Sequence, residues 1–247
     1  MTPAATGTPG AAQVSCVIPV YNEGSRVGGV LAAVTGHPLV KEVIVVDDAS
    51  TDDTAAVVEA AANVRLIRLA ENRGKTGALL AGIGEAAGPL LLLLDGDLVG
   101  LNSGHITALI QPVLNGRADL SMSLRENAPR LWRAIGIDYI SGERVFHKRL
   151  LEDRLAALRT LPRFGFEVFL NGLCIAGRFR LAIVPWQGVQ SPMKSAKYGM
   201  RKGMLADLGM IADMCRTVPP LRLLRQIVAM RRLRVAPGSA AGDNWVP

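Results

Sequence analysis

The sequence predicts an α/β domain built on a central, mostly parallel sheet, and three observations lead there. Short β-branched and leucine-rich runs alternate with segments of helical character through the first half of the chain. A β-α-β order of that kind sets neighbouring strands parallel, with helices on both faces. The composition is that of a folded chain: 247 residues, 49% hydrophobic and 20% charged, with no low-complexity tract, which excludes a disordered or fibrous protein.

Taken in order, residues 14–20 read as a buried first strand reaching Pro19 and Val20. Residues 23–34 suit a helix, interrupted by Gly28 and Gly29 and stopped near Gly36 and Pro38. Residues 42–46 form a second buried strand that runs directly into Asp47 and Asp48. Ser50 is expected to cap the next helix, with Asp52 and Asp53 in its first turn and its end at Ala62. A third strand (64–69), a third helix (76–87) and a fully apolar fourth strand (90–94) follow, the last ending at Asp95. After a helix over 102–114 the pattern loosens. It gives a strand over 117–124, an irregular stretch over 125–142 with a short helix, a basic helix over 147–160, a helix over 166–176 and a strand over 181–184. Beyond Lys194 the chain is expected to be helical and basic to about Val235, broken at Pro219 and Pro220.

Charge divides the chain. Residues 1–124 carry 7 basic and 12 acidic side chains, residues 125–247 carry 21 and 9, and the total is +7. The second half therefore suits anionic partners. With 4% aromatic residues and no recognised nucleic-acid fold motif, nucleic acid is not expected among them. Cys16, Cys174 and Cys215 are odd in number and widely spaced, which argues against a disulfide framework or a structural zinc site. The Thr/Pro/Gly/Ala start lacks the basic residue and apolar block of a signal peptide. No apolar run approaches the roughly 20 residues that span a bilayer. The protein is expected in the cytoplasm, or peripheral on the inner face of the cell membrane.

Parallel sheets bind ligands outside the carboxyl ends of their strands, and here two strands end in acids, Asp47/Asp48 and Asp95/Asp97. Two aspartates one residue apart offer the hard oxygens that Mg2+ or Mn2+ takes, with phosphate oxygens completing the shell. Of Asp47 and Asp48, at least one carboxylate is left to accept hydrogen bonds from a base or ribose. His37 and His105 are expected to face solvent, and His147 to complete a metal site or to start a helix at the surface; none has a matched partner. Residues 221–235 place arginines at 222, 225, 231, 232 and 234 among apolar residues, with Leu221, Leu224 and Val228 on one face and Leu223, Ile227 and Met230 beside them. Such a helix suits a membrane interface or packing on the domain.

Four segments in register carry a resemblance: Val17-Ile18-Pro19-Val20-Tyr21-Asn22-Glu23, Val45-Val46-Asp47-Asp48-Ala49-Ser50-Thr51-Asp52, Asn72-Arg73-Gly74-Lys75-Thr76-Gly77-Ala78 and Leu94-Asp95-Gly96-Asp97. They resemble the family 2 glycosyltransferases, strongly over residues 13–124 and more weakly to about 215, and nearest to the polyprenyl-phosphate sugar synthases of the dolichyl-phosphate mannose synthase type. The resemblance implies a GT-A, Rossmann-like single domain with a basic helical C-terminal extension. It implies transfer of a sugar, of the inverting type, from a UDP- or GDP-sugar to an acceptor such as polyprenyl phosphate. Pro19, Tyr21, Glu23, Asp47 and Asp48 would line the nucleotide pocket, Lys75 would face the nucleotide or its phosphates, and Asp95 and Asp97 would flank the metal and diphosphate. Where close relatives read Asp-Ala-Asp-Leu-Gln, this chain reads Asp-Gly-Asp-Leu-Val, so Val99 replaces a polar ligand.

On the same pattern Lys194, Lys197, Arg201 and Lys202 would meet the diphosphate, and Arg125, Arg144 and Arg149 the acceptor phosphate. Glu167, in Gly165-Phe166-Glu167-Val168, and Asp138 are the candidate bases if the acceptor is a hydroxyl; a phosphate acceptor is already anionic and needs none. The expected organisation is a flexible start (1–12), a domain (13–215) divided into a nucleotide-binding half (13–124) and an acceptor half (125–215), a basic amphipathic helix (216–236) and a flexible tail (237–247). A sugar-1-phosphate nucleotidyltransferase would carry a Gly-rich phosphate loop where Tyr21-Asn22-Glu23 stands. A dinucleotide-dependent oxidoreductase would carry Gly-x-Gly-x-x-Gly there. A non-catalytic nucleotide-binding module, recruiting partners to membranes through the arginine-rich helix, is the reading from another class.

Overall fold

The computed structural model describes residues 14–158, 165–191 and 219–235. Seven strands form one sheet: β1 (Val14–Val20), β2 (Val40–Asp47), β3 (Val64–Arg68), β4 (Leu90–Leu93), β5 (Leu120–Arg125), β6 (Arg144–His147) and β7 (Leu181–Trp186). Their order is β3-β2-β1-β4-β6-β5-β7. β1 pairs in parallel with β2 and β4, β2 with β3, and β5 with β7; only β6 runs antiparallel, between β4 and β5. The carboxyl ends of β1 to β5 thus share one edge, and β6 brings its amino end to that same edge.

The first half follows the sequence closely because its strands are buried on both faces. In β1, Cys16 and Ile18 pack with α1 (Gly24–Val34), α2 (Thr54–Glu59) and α4 (Ser103–Leu114) on one side. Val17 faces the other side with Ile44, Val46 and Leu91, where α3 (Gly74–Glu85) lies. Two-sided burial needs continuous apolar strands, which is the pattern seen. The second half adds α5 (Arg130–Ile135), a single turn α6 (Leu155–Leu158), α7 (Gly165–Ala176) and α8 (Pro220–Arg232). α8 buries Leu223, Ile227 and Met230 in the core shared with α7; each such side chain is worth roughly 1.5–3 kcal/mol.

Several expectations need correction. Ser50 does not cap a helix: its hydroxyl accepts the Asn22 N–H at 3.0 Å. The helix begins later, at Thr54, whose N–H goes to Asp52 Oδ1 at 3.0 Å, and it ends at Glu59. The basic helix expected over 147–160 is instead the end of β6, two 3₁₀ turns (Lys148–Leu150, Glu152–Arg154) and α6. β6 fills the gap between β4 and β5 with Val145 and Phe146 fully buried, so pairing to two neighbours overrides local helical character. β7 continues through Pro185 to Trp186; it is the last strand of the sheet, bridged on its outer side at Leu181 by Arg234, and Pro185 falls beyond that bridge at an edge position that tolerates proline. His37 is buried, with Nε2 2.9 Å from Thr107 Oγ1 and 3.3 Å from the Ser103 carbonyl, tying the approach to β2 onto α4. His105 completes a reciprocal cap with Asn102 at the start of α4 and packs on Trp186.

Candidate active site

The crevice edge is assembled from loops that bind one another. Asn22, just past β1 at φ 55°, accepts the Thr51 N–H at 2.8 Å through Oδ1. The Glu23 and Gly24 N–H groups, at the start of α1, donate to Thr54 Oγ1 (2.8 Å) and Asp52 Oδ2 (3.2 Å). The first turn of α1 is therefore capped from the β2–α2 loop, and the charge suits its dipole. Asp47 accepts the Ser50 N–H at 3.0 Å, and Asp48 accepts the Arg73 N–H at 2.7 Å, which fastens the loop entering α3. Non-glycine residues at positive φ are uncommon and gather where loops are over-determined; Asn22 and Ala49 (φ 61°) are two of them. Around this frame Tyr21 is exposed, Pro19 is partly buried at the end of β1, and the Glu23 carboxylate pairs with Arg26.

Asp95, Gly96 and Asp97 follow β4 directly. A Cβ on Gly96 would stand 2.5 Å from Val20 Cγ1 and 3.3 Å from the Pro19 carbonyl oxygen, so glycine lets the acid loop lie against the nucleotide loop. Asp97 Oδ2 accepts the Ser191 hydroxyl at 2.8 Å, while its Oδ1 is buried with no partner among the described residues. Burial first, then the charge of Asp95, raises the Asp97 pKa. Asp95 goes the other way: burial opposes its charge, but Lys75 prevails and lowers its pKa. Lys75 Nζ lies 2.7 Å from Asp95 Oδ1 and 3.1 Å from Glu167 Oε1. Burial works against the ammonium, yet these two carboxylates raise its pKa. Glu167, in the first turn of α7, is almost wholly buried.

Beneath this layer lies a second set of charges. Arg125, at the end of β5, reaches Asp138 Oδ2 at 3.0 Å and Glu143 Oε1 at 3.6 Å. Glu143 Oε2 also accepts the hydroxyls of Ser123 (2.6 Å) and Ser141 (2.8 Å). Asp138 is fully buried, and burial raises its pKa against the pull of Arg125. It stands in the structure as the inner partner of an arginine, with no exposed oxygen to offer a substrate. Arg144, expected to meet a phosphate, is enclosed: its guanidinium donates to the Ser141 carbonyl (2.8 Å), Asn171 Oδ1 (2.7 Å) and the Tyr139 carbonyl (3.2 Å). Arg149 is exposed in the first 3₁₀ turn after β6. Lys194, Lys197, Arg201 and Lys202 lie outside the described residues.

Two residues at this edge escaped the sequence reading. Nothing local marks Glu143 as the hub for Arg125, Ser123 and Ser141. Ser191 reaches Asp97 across 94 positions, helped by the bridge between Val99 and Gln190. Only the fold could bring that serine in. Among the described residues no third His, Cys, Asp or Glu joins Asp95 and Asp97 as a metal ligand set.

An edge with acid-ended parallel strands, an under-coordinated aspartate and a lysine between them invites comparison with known proteins. Residues 15–162 match the model of glycosyl transferase family 2. An undecaprenyl-phosphate 4-deoxy-4-formamido-L-arabinose transferase of Sodalis glossinidius is 38% identical over 245 residues, covering 88% of this chain and 72% of the relative. A dodecaprenyl-phosphate galacturonate synthase of Rhizobium johnstonii is 34% identical over 124 residues, covering 47% of this chain and 36% of the relative. The chain likewise spans 50% of a dolichyl-phosphate beta-glucosyltransferase of Dictyostelium discoideum. Among solved structures, glucosyl-3-phosphoglycerate synthase of Mycobacterium tuberculosis, in complex with Mn2+, UDP and glucosyl-3-phosphoglycerate, superposes with a TM-score of 0.58 at 25% identity, covering 74% of this chain and 73% of that one. The sheet is that of the GT-A glycosyltransferases, and with more than half its length matched, the chain belongs to glycosyl transferase family 2.

Proposed function

We propose that this protein transfers a sugar from a nucleoside-diphosphate sugar, UDP- or GDP-linked, to a polyprenyl phosphate, with inversion at the anomeric carbon. The observation that carries the proposal is the acid pair after β4, where Asp97 Oδ1 is buried without a partner. An unsatisfied buried carboxylate oxygen is costly and marks a place for a cation. Asp95 and Asp97 offer the hard oxygens that Mg2+ or Mn2+ prefers, with diphosphate and water to complete the shell. When bound, such an ion neutralises charge that develops on the departing diphosphate. On this reading Asp48 and Tyr21 receive the base and ribose, and the hydrogen bond from the Arg73 N–H to Asp48 supports it by tying the loop that carries Lys75 to the end of β2.

The phosphate acceptor is supported by what the two candidate bases are doing. Glu167 is held by Lys75 and Asp138 by Arg125. Neither is poised as a free base, and a phosphate oxygen attacks without one. Relatives named for dodecaprenyl and undecaprenyl phosphate support the same acceptor class.

The membrane surface is the remaining part of the reading. α8 turns Leu221 (72% exposed), Leu224 (60%) and Val228 (43%) away from the core, with Arg222 and Arg225 beside them. No helix among the described residues is long and apolar enough to cross a membrane. A peripheral position on the inner face of the cell membrane fits that stripe. The test is a donor screen, UDP- and GDP-sugars against a mixed lipid extract with Mn2+, scoring movement of labelled sugar into the organic phase. Label that stays in water with every donor overturns the lipid acceptor.

A further inference from the structure

Lys75 links three parts of the fold through one ammonium group. It is the second residue of α3, and it contacts Asp95 at the end of β4 and Glu167 at the start of α7. The fit is close on the inner side. A Cβ on Gly142, in the loop before β6, would lie 2.6 Å from Lys75 Nζ and 2.5 Å from Asp95 Oδ1. On its outer side the lysine is open, with 40% of its side chain exposed. Beside it, Asp97 Oδ1 has no partner. In this state the acid pair is unequally satisfied: one carboxylate is neutralised from within the protein, and the other waits.

We propose that Lys75 is an internal counter-cation for the acid pair, exchanging Asp95 for a phosphate oxygen when a divalent ion and a nucleoside diphosphate bind together. The inference rests on the reading of the crevice as a metal and nucleoside-diphosphate site. Its physical basis is charge. An ammonium and a divalent ion on one carboxylate repel each other, so an ion arriving alone must displace Lys75. That also weakens the pairing of Glu167, a buried carboxylate whose unpaired charge is expensive. A diphosphate arriving with the ion offers Lys75 a new anion within the swing of its four-carbon stem, and Glu167 stays paired. The ion alone then binds weakly, and ion and nucleotide each tighten the other by the same factor, as linkage requires.

The test is a calorimetric box on the wild-type chain and on Lys75→Met, a neutral side chain of similar length. Mn2+ is titrated alone and at saturating UDP or GDP, and each nucleotide is titrated alone. The wild type is expected to bind Mn2+ weakly by itself and much more tightly with nucleotide. Lys75→Met is expected to bind Mn2+ alone about tenfold more tightly than wild type, and its coupling factor to fall by about tenfold. Equal Mn2+ affinity in the two proteins, or an unchanged coupling factor, overturns the role of Lys75 while leaving the metal site standing. Absence of Mn2+ binding to the wild type even with nucleotide overturns the metal-site reading and this inference together. A crystal structure of the wild type with Mg2+ and nucleotide tests the exchange without any variant. Lys75 Nζ should lie on a phosphate oxygen, and an ammonium still on Asp95 beside the bound ion overturns the proposal.

Discussion

At the end of β2 and in the loop beyond it, the acids are held largely by backbone. Asp47 takes the Ser50 N–H, Asp48 the Arg73 N–H, and Asp52 the N–H groups of Gly24 and Thr54. Behind the crevice, the charged cluster around Arg125 is held by other side chains. Arg125 pairs with Asp138 and Glu143, Glu143 accepts the hydroxyls of Ser123 and Ser141, and Arg144 donates to Asn171 Oδ1 as well as to two backbone carbonyls. A backbone amide is present whatever the residue, so an acid after a strand can be satisfied locally. A side-chain partner must be supplied from elsewhere in the chain, and it is then committed. The difference explains why Asp47, Asp48 and Asp52 can be tied into one local frame of loops, while the two inner arginines of the second half, Arg125 and Arg144, depend on partners from distant segments.

The comparison is broken most sharply at Asp97, whose Oδ1 has no partner and which, unlike Asp138 and Glu143, has no arginine paired with it among the described residues. Asp97→Asn is expected to lower sugar transfer by about a thousandfold or more, the scale of losing one electrostatic stabiliser of the reacting charge, with circular dichroism unchanged. The same variant should stabilise the metal-free protein at neutral pH. The folded-state pKa of Asp97 is raised above the ordinary aspartate value of about 3.9. Below that ordinary value the side chain is neutral in folded and unfolded chains alike, and no penalty arises. The penalty grows as pH rises from there and is complete above the raised pKa. Melting in EDTA should therefore show a higher Tm for Asp97→Asn at pH 7, with the gain shrinking toward pH 3. An unchanged or lower Tm at pH 7 means that the carboxylate is compensated after all.

The opposite prediction holds for the committed charges. Arg144 is enclosed and makes three hydrogen bonds, so Arg144→Met should cost about 3 kcal/mol of unfolding free energy in urea titration. Arg222→Ala on the outer face of α8 should change stability by no more than about 0.5 kcal/mol. A loss of transfer in Arg144→Met with full stability would restore Arg144 to the acceptor site and break the contrast.

These differences also set what the sequence could reveal. The first four strands and their terminal acids are legible because continuous burial writes an apolar run, and because the acids follow it directly. Ser50 has the residue type of a helix cap, but its hydroxyl is taken by the Asn22 N–H from another loop, which no local pattern signals. The pairing of Lys75 with Asp95 and Glu167, and of Ser191 with Asp97, joins segments that share no local pattern. β6 was hidden for a related reason. Its apolar run is only Val145 and Phe146 between Arg144 and His147, and only its position between β4 and β5, with Asn171 on α7 accepting from Arg144, makes a buried arginine acceptable there.

The smallest effects are expected at α8, where charge is neither committed inside nor placed at the crevice. Its inner face is fixed by Leu223, Ile227 and Met230, so changes on the outer face should leave the fold alone. Against vesicles of phosphatidylcholine and phosphatidylglycerol at 3:1, each arginine near the surface contributes about 1 kcal/mol, roughly fivefold in partitioning. Arg222→Ala and Arg225→Ala should each weaken binding by that factor and flatten its dependence on salt. Leu224→Asp should weaken it at every salt concentration, since it removes apolar contact and adds a like charge to the lipid. If the arginine variants lose binding and Leu224→Asp does not, α8 meets the membrane through charge alone. If none of the three changes binding, the outer face of α8 is simply solvated, and the second half meets the membrane elsewhere or not at all.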